Sequence, residues 1–241
     1  MTKQKETKTK IAIVATLLFL TIFFTSFVIA TPTGPSDINV TANETKATTA
    51  GQMINISGGI ISKINITASV QNPHWKAFVG WIDGKFTLDD SSGSTIYDWT
   101  LTTVGGEVYA TRASGIANWG TISCADATEI TAEDTALDHA GEDNITSTFT
   151  PASNAQTFVV AGTTIPAGTC SATNTYVGGA KTAVFEEVIL HDTSDIIFAT
   201  ILEEDEEGFD GTDYDFQMLV PENANSSWTS STAYYLYVEL S

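Results

Sequence analysis

The chain has 241 residues, with 10 Lys or Arg against 29 Asp or Glu and a formal charge of −19. Such acidity argues against nucleic acid and anionic membrane surfaces as partners and favours cations, solubility or salty surroundings. The three histidines, His74, His139 and His191, stand at no metal-ligand spacing, and there is no GxSxG elbow, Walker loop, dinucleotide fingerprint or CxxC, so an enzyme is not expected.

Met1 to Lys10 carries four lysines and leads into the uncharged apolar run Ile11 to Ala30. That is the pattern of an export signal. Small residues at Val28-Ile29-Ala30 suit cleavage after Ala30, which makes residues 1–30 a signal peptide. Retained, residues 11–30 form a membrane anchor instead. A pilin-type core helix has less behind it, since no Gly or Ala precedes Ile11. Without residues 1–30, four lysines and Glu6 are gone, leaving 6 basic and 28 acidic side chains and a formal charge of −22.

Residues 31–50 are rich in Thr, Asn, Ala and Pro and read as a polar linker or arm. Six N-glycosylation sequons begin at Asn39, Asn43, Asn55, Asn65, Asn144 and Asn225, a number that in an exported chain points to a surface glycoprotein. The 211 residues after residue 30 are enough for one large β domain or two small ones with real cores, and residues 51–241 read as a β-sandwich domain.

Within that domain Ile61 to Val70 alternates, Ile64, Ile66, Ala68 and Val70 against Lys63, Asn65, Thr67 and Ser69, and predicts a half-exposed strand with Asn65 on its wet face. His74 to Thr103 has the densest aromatic content and reads as a hairpin. Its first strand, His74 to Ile82, is apolar on both sides and is expected to be covered on both. After a turn at Asp83-Gly84, Phe86 and Leu88 share a face, Asp89 to Ser94 forms a loop, and Tyr97, Trp99 and Leu101 return on one side. Strands over Glu107 to Thr111 and Ile116 to Cys124 follow.

Asp126 to Ala140 breaks the β pattern. Asp126 and Glu129 have capping-box spacing before a short helix with Ile130, Leu137 and Ala140 as its apolar face and Gly141 as its stop. The acids Glu133, Asp134, Asp138, Glu142 and Asp143 read as its wet side. Strand-like runs resume at Thr157 to Ala161, Thr182 to Leu190, Asp195 to Leu202, Tyr214 to Val220 and Ala233 to Leu240. Short strands with turn punctuation and no βαβ rhythm predict an all-β fold, an antiparallel β-sandwich or jelly roll. Cys124 and Cys170 are expected to pair in an exported chain, closing a loop that stabilises by about 4 kcal/mol through lost chain entropy.

Glu203 to Asp215 places eight carboxylates in thirteen residues. Ca²⁺ wants six to eight oxygens, and Asp210, Asp213 and Asp215 with Glu207, around Gly208 and Gly211, supply several; the alternative is a solvated acidic loop. Of the five tryptophans, Trp75 and Trp81 are the candidates for a sugar platform, with core packing as the alternative.

The block HWKAFVGWIDG, the segment DDSSGSTIYDWT followed by GGEVYAT, and the distal GFDGTDYDFQMLVPEN with its YYLYVEL ending resemble a group of secreted archaeal cell-surface proteins over about residues 50 to 241. That resemblance implies an extracellular all-β protein and brings no active-site residues. The function expected is structural or adhesive, with self-association into a filament or layer by β-strand addition, or contact with other surface proteins, and Ca²⁺ as stabiliser. A carbohydrate-binding module is the alternative, and a secreted hydrolase built on paired acids is the third reading.

Overall fold

A computed structural model describes residues 31–116, 118–224 and 231–241. Residues 1–30, on which the expected export signal falls, the sequon at Asn225 and Trp228 lie outside them. In chain order the elements are β1 (Trp75–Gly80), β2 (Lys85–Asp89), β3 (Thr95–Thr100), β4 (Gly106–Thr111), β5 (Ser123–Cys124), α1 (Ala127–Ala136), α2 (Ile145–Thr148), β6 (Phe158–Val160) and β7 (Thr163–Ile165). Then come β8 (Ala172–Val177), β9 (Ala180–His191), β10 (Ile196–Ile201), β11 (Glu206–Glu207), β12 (Asp213–Tyr214), β13 (Phe216–Pro221) and β14 (Tyr235–Leu240). Strands predominate, as the all-β expectation requires.

The central sheet runs β14-β4-β10-β9-β5, with β8 also on β9, and every pairing is antiparallel. Apolar side chains leave both of its faces because strands such as Ile-Ile-Phe-Ala-Thr-Ile in β10 are apolar at odd and even positions alike. On one face Val108, Ala110, Ile189 and Phe198 pack with Met218 and Val220 of β13 and with Ile130, Leu137 and Phe149 of the helical segment. On the other, Tyr109, Val188, Leu190, Ile197 and Ala199 meet Phe158, Val160 and Ile165 of the β6–β7 hairpin. Burial of each large side chain contributes about 1.5–3 kcal/mol.

The predicted disulfide forms. Cys124 and Cys170 lie 4.9 Å apart at Cα and tie β5, at one edge of the sheet, to the segment leading into β8. The capping box is also present: Asp126 accepts from Thr128 N and Glu129 N, while Glu129 accepts from Asp126 N at 2.7 Å. The helix stops earlier than Gly141, at Asp138 with φ 57°, and Ala140 stays exposed.

The run Ile116 to Cys124 is strand only at Ser123–Cys124, with a 3-10 turn at Trp119–Thr121 before it, and three further expectations are corrected. First, β1 does not pair within a hairpin; it joins β13, Phe78 opposite Met218, and as an edge strand leaves Ala77 and Val79 exposed instead of being covered on both sides. Second, Ile61 to Val70 forms no strand and is exposed throughout, since no other described strand lies beside it to complete a ladder. Third, the acids of the helical segment are mostly engaged: Glu133 holds Arg112 through two bonds of 2.7 and 2.6 Å, buried Asp134 accepts from Ile145 N and Thr146 N, and Asp143 accepts from Asn72 and meets His74.

Candidate functional site

Among the described residues two surfaces are left uncovered although their chemistry suits a partner. The first is the edge formed by β14 together with the arm rooted on it. Val238 exchanges two backbone hydrogen bonds with Thr33, at 2.8 and 3.0 Å, and the neighbouring Pro32 is buried. Backbone groups alternate in direction along a strand, so those of Leu236 and Leu240 face the same outward way as those of Val238. Among the described residues no further strand covers them. An edge with free donors and acceptors is a template for an incoming strand.

From residue 34 to residue 71 the chain has no regular secondary structure and turns at Gly58-Gly59. It doubles back far enough for Lys46 N to donate to Gln71 Oε1 and Lys46 Nζ to Ser69 O. Ile38, Val40, Ile54, Ile56, Ile64 and Ile66 are all exposed on it. In water such a row is costly, and a segment of this composition gains most by pairing elsewhere. Over this longer arm, residues 34–71, Asp37 and Glu44 are balanced by Lys46 and Lys63, so it is neutral and residues 72–241 carry the whole −22 of residues 31–241.

The second surface is the hairpin of β2 and β3, whose residues are all exposed. Its turn is built by Asp90, which accepts from Ser92 N and Ser94 N, with Gly93 at φ 81°. Phe86 stands opposite Trp99 and Leu88 opposite Tyr97, so the four share one side of the ribbon, with exposures of 44, 51, 55 and 61% respectively. Lys85 and Asp98 form an ion pair of 2.8 Å along the other register positions. At its root Leu101 N donates to Gly84 O, and Gly84 is so close to Leu240 that a Cβ there would lie 3.0 Å from Leu240 Cδ1.

In the acidic loop Asp210 accepts from Thr212 N at 2.9 Å and from the Tyr214 hydroxyl at 3.1 Å, and the Thr212 bond holds its carboxyl below the ordinary range. Buried Asp215 accepts from Ile82 N at 2.7 Å and from Asp205 N, joining the end of β1 to the loop. Asp213 and Glu207 are exposed on the short β11–β12 ladder. Among the described residues no three His, Cys, Asp or Glu side chains are gathered as a metal would need.

Trp75 opens β1 and Trp81 follows its last residue. Trp75 is partly buried, donates to Asp143 O and packs on His139 and Phe149; Trp81 is half exposed, donates to Asp213 O and rests on Tyr214 at 5.2 Å. Asn39, Asn43, Asn55 and Asn65 are exposed on the arm. Asn144 caps α2 through Oδ1, which accepts from Ser147 N, and this leaves its Nδ2, the atom that carries a sugar, outside the bond.

Sequence reasoning missed a set of buried carboxyl groups in the sheet. Glu107 and Glu239 are directly opposite each other on β4 and β14, both buried, with the Tyr109 hydroxyl donating to Glu239 at 3.0 Å and Ala161 N donating to the same carboxyl. Burial, then the charge of Glu239, pushes the Glu107 carboxyl up to about 8, against hydrogen bonds from Tyr109 and Val159; burial also raises Glu239. Burial of both carboxyl groups on facing strands favours the neutral form of Glu107. On β9, Glu187 is wholly buried and raised well above its ordinary value; one oxygen accepts from Leu219 N at 2.8 Å and the other has no partner. The pair lies beneath the β6–β7 turn, away from solvent.

No family model matches the chain, and no curated protein or solved structure matches it. Among the described residues no helix is long and apolar enough to cross a membrane.

Proposed function

We propose that this protein is a secreted or surface-anchored glycoprotein with a structural role, which associates with further copies of itself by strand addition. The observation that carries the reading is the pairing of an open β14 edge with a neutral arm whose apolar residues find no home in their own chain. Two bodies of −22 repel, whereas the arm approaches a second body without that penalty and brings Lys46 and Lys63 to an acidic surface. Added as a strand, it gains backbone hydrogen bonds along the edge and burial of its isoleucines. Within this reading the body is an antiparallel sandwich, with the β1–β13 ribbon as its second layer.

Export and glycosylation are part of the same proposal and rest on the apolar N-terminal run and on the four sequons exposed along the arm. Calcium belongs to it as a stabiliser of the Glu203 to Asp215 loop, where exposed Asp213 and Glu207 stand beside Asp210 in sequence.

The test is electron microscopy and sedimentation of glycosylated residues 31–241, in millimolar calcium and in chelator, beside the same chain lacking residues 34–71. Filaments, layers or large oligomers are expected from the intact chain and monomers from the deletion. An intact chain that stays monomeric at every concentration, or a deletion that assembles equally well, overturns strand addition. Assembly unchanged by chelator removes calcium from the reading.

A further inference from the structure

Among the described residues the hairpin of β2 and β3 leaves all its side chains exposed, apolar ones included. A two-stranded ribbon standing in water is ordinarily polar on both sides, because a two-stranded hairpin alone buries too little to be stable. Here one side is Phe86, Leu88, Tyr97 and Trp99, and the polar residues Lys85, Thr87 and Asp98 are confined to the other. An amphipathic sheet face of this kind is half of an interface.

From this geometry we infer that the Phe86-Leu88-Tyr97-Trp99 face receives the alternating segment Ile64 to Val70 of a second copy, continuing the strand addition at β14. The inference rests on the strand-addition reading and names the second acceptor within it. Three observations select this occupant. The hairpin root touches Leu240, the last residue of β14, so a strand laid along the open edge runs on toward the hairpin. Ile64, Ile66, Ala68 and Val70 recur with the period of a strand and are exposed in their own chain, so they match an apolar ribbon face residue for residue. Charge then discriminates between the parts of a second copy: the body repels, and the neutral arm, with Lys63 among its polar residues, does not.

A sugar fits this face less well than a strand. Tyr97 and Trp99 meet edge to face, with ring centroids 5.0 Å apart and planes at 63°, and so offer no common plane for a pyranose ring. Aliphatic side chains, by contrast, fill the angle between two such rings.

The test compares the concentration for half-association of intact residues 31–241 with that of two double variants. Leu88→Thr with Trp99→Thr removes apolar surface from the face while keeping residues suited to a strand. Ile64→Thr with Ile66→Thr alters the proposed occupant at two exposed side chains, on a segment tied to its own chain by the Lys46 bonds to Ser69 and Gln71, so the core of the body is untouched. Each double variant is expected to raise that concentration about tenfold or more, from the loss of two buried apolar side chains. If deletion of residues 34–71 abolishes association and the hairpin variant associates like the intact chain, the hairpin is not an acceptor and this inference falls while strand addition stands. If the hairpin variant weakens association and the Ile64/Ile66 variant does not, the occupant is wrong and the inference is overturned. If the deletion itself associates normally, both fall together.

Discussion

The β9–β10 pair and the β2–β3 hairpin are built from similar residues and meet opposite fates. Both are antiparallel, and both are rich in β-branched and aromatic side chains. In the first, Phe198 faces Ile189 within a sheet that is covered on both sides and has almost no exposure. In the second, the Phe86–Trp99 pair is about half exposed. Strand propensity and cross-strand pairing are therefore common to both; the difference is the second layer. A strand pattern specifies a ribbon, and only a covering layer turns that ribbon into core.

The largest test of this contrast is truncation on each side of it. Phe198→Ala opens a cavity between the sheet, Phe149 and Tyr234 and is expected to cost about 3–5 kcal/mol in chemical denaturation of residues 31–241. A loss below 1 kcal/mol would show that the two-sided burial is not where the stability resides.

A second test uses the buried carboxyl pair, which only a covered strand can hold. With Glu107 raised from an ordinary 4.5 to about 8, the folded state keeps a proton that the unfolded chain has released between those values. That contribution to stability is fully present below about pH 4.5 and is lost as pH rises through 8. Glu107→Gln is expected to flatten this slope and to raise stability above pH 8 by up to about 5 kcal/mol, the ceiling set by a shift of this size. Denaturation midpoints of both proteins between pH 4 and 9 provide the measurement; parallel profiles would mean that the pair is not dry.

The smallest effect is expected in the hairpin. Tyr97→Thr removes an exposed ring and one cross-strand contact and should change the stability of the body by about 0.5 kcal/mol or less. A larger loss would show that the ribbon face is already covered within the monomer, and the contrast would dissolve.

Much of the sheet was legible in the sequence because strands covered on both sides announce themselves by unbroken apolar runs, as β9 and β10 do. The β2–β3 ribbon was legible too, with Asp90 and Gly93 marking its turn. What failed was partner choice. His74 to Ile82 lies next to the hairpin in sequence, yet β1 pairs with β13, some 140 residues away, and nothing local encodes a pairing of that range. The strand β8 had a signal that went unused: Gly178-Gly179, both at positive φ, forms a two-residue turn between Val177 and Ala180. Ile61 to Val70 shows the converse, since alternation marks a segment able to be a strand, and a strand exists only where another lies beside it. The pairing of Glu107 with Glu239 depends on the register of β4 against β14, which no pattern of residues at either end discloses.

The junction at Thr33 also decides how the described body would answer a pull on its first residue. Tension applied at residue 31 enters the body through buried Pro32 and two backbone hydrogen bonds to Val238, and hence through β14. The covalent staple between Cys124 and Cys170 lies at β5, at the far end of the strand order. A pull of this kind therefore peels the sheet from its unstapled side, so the mechanical strength of the domain is set by hydrogen bonds and packing, with the disulfide limiting how far the chain extends once the sheet has opened.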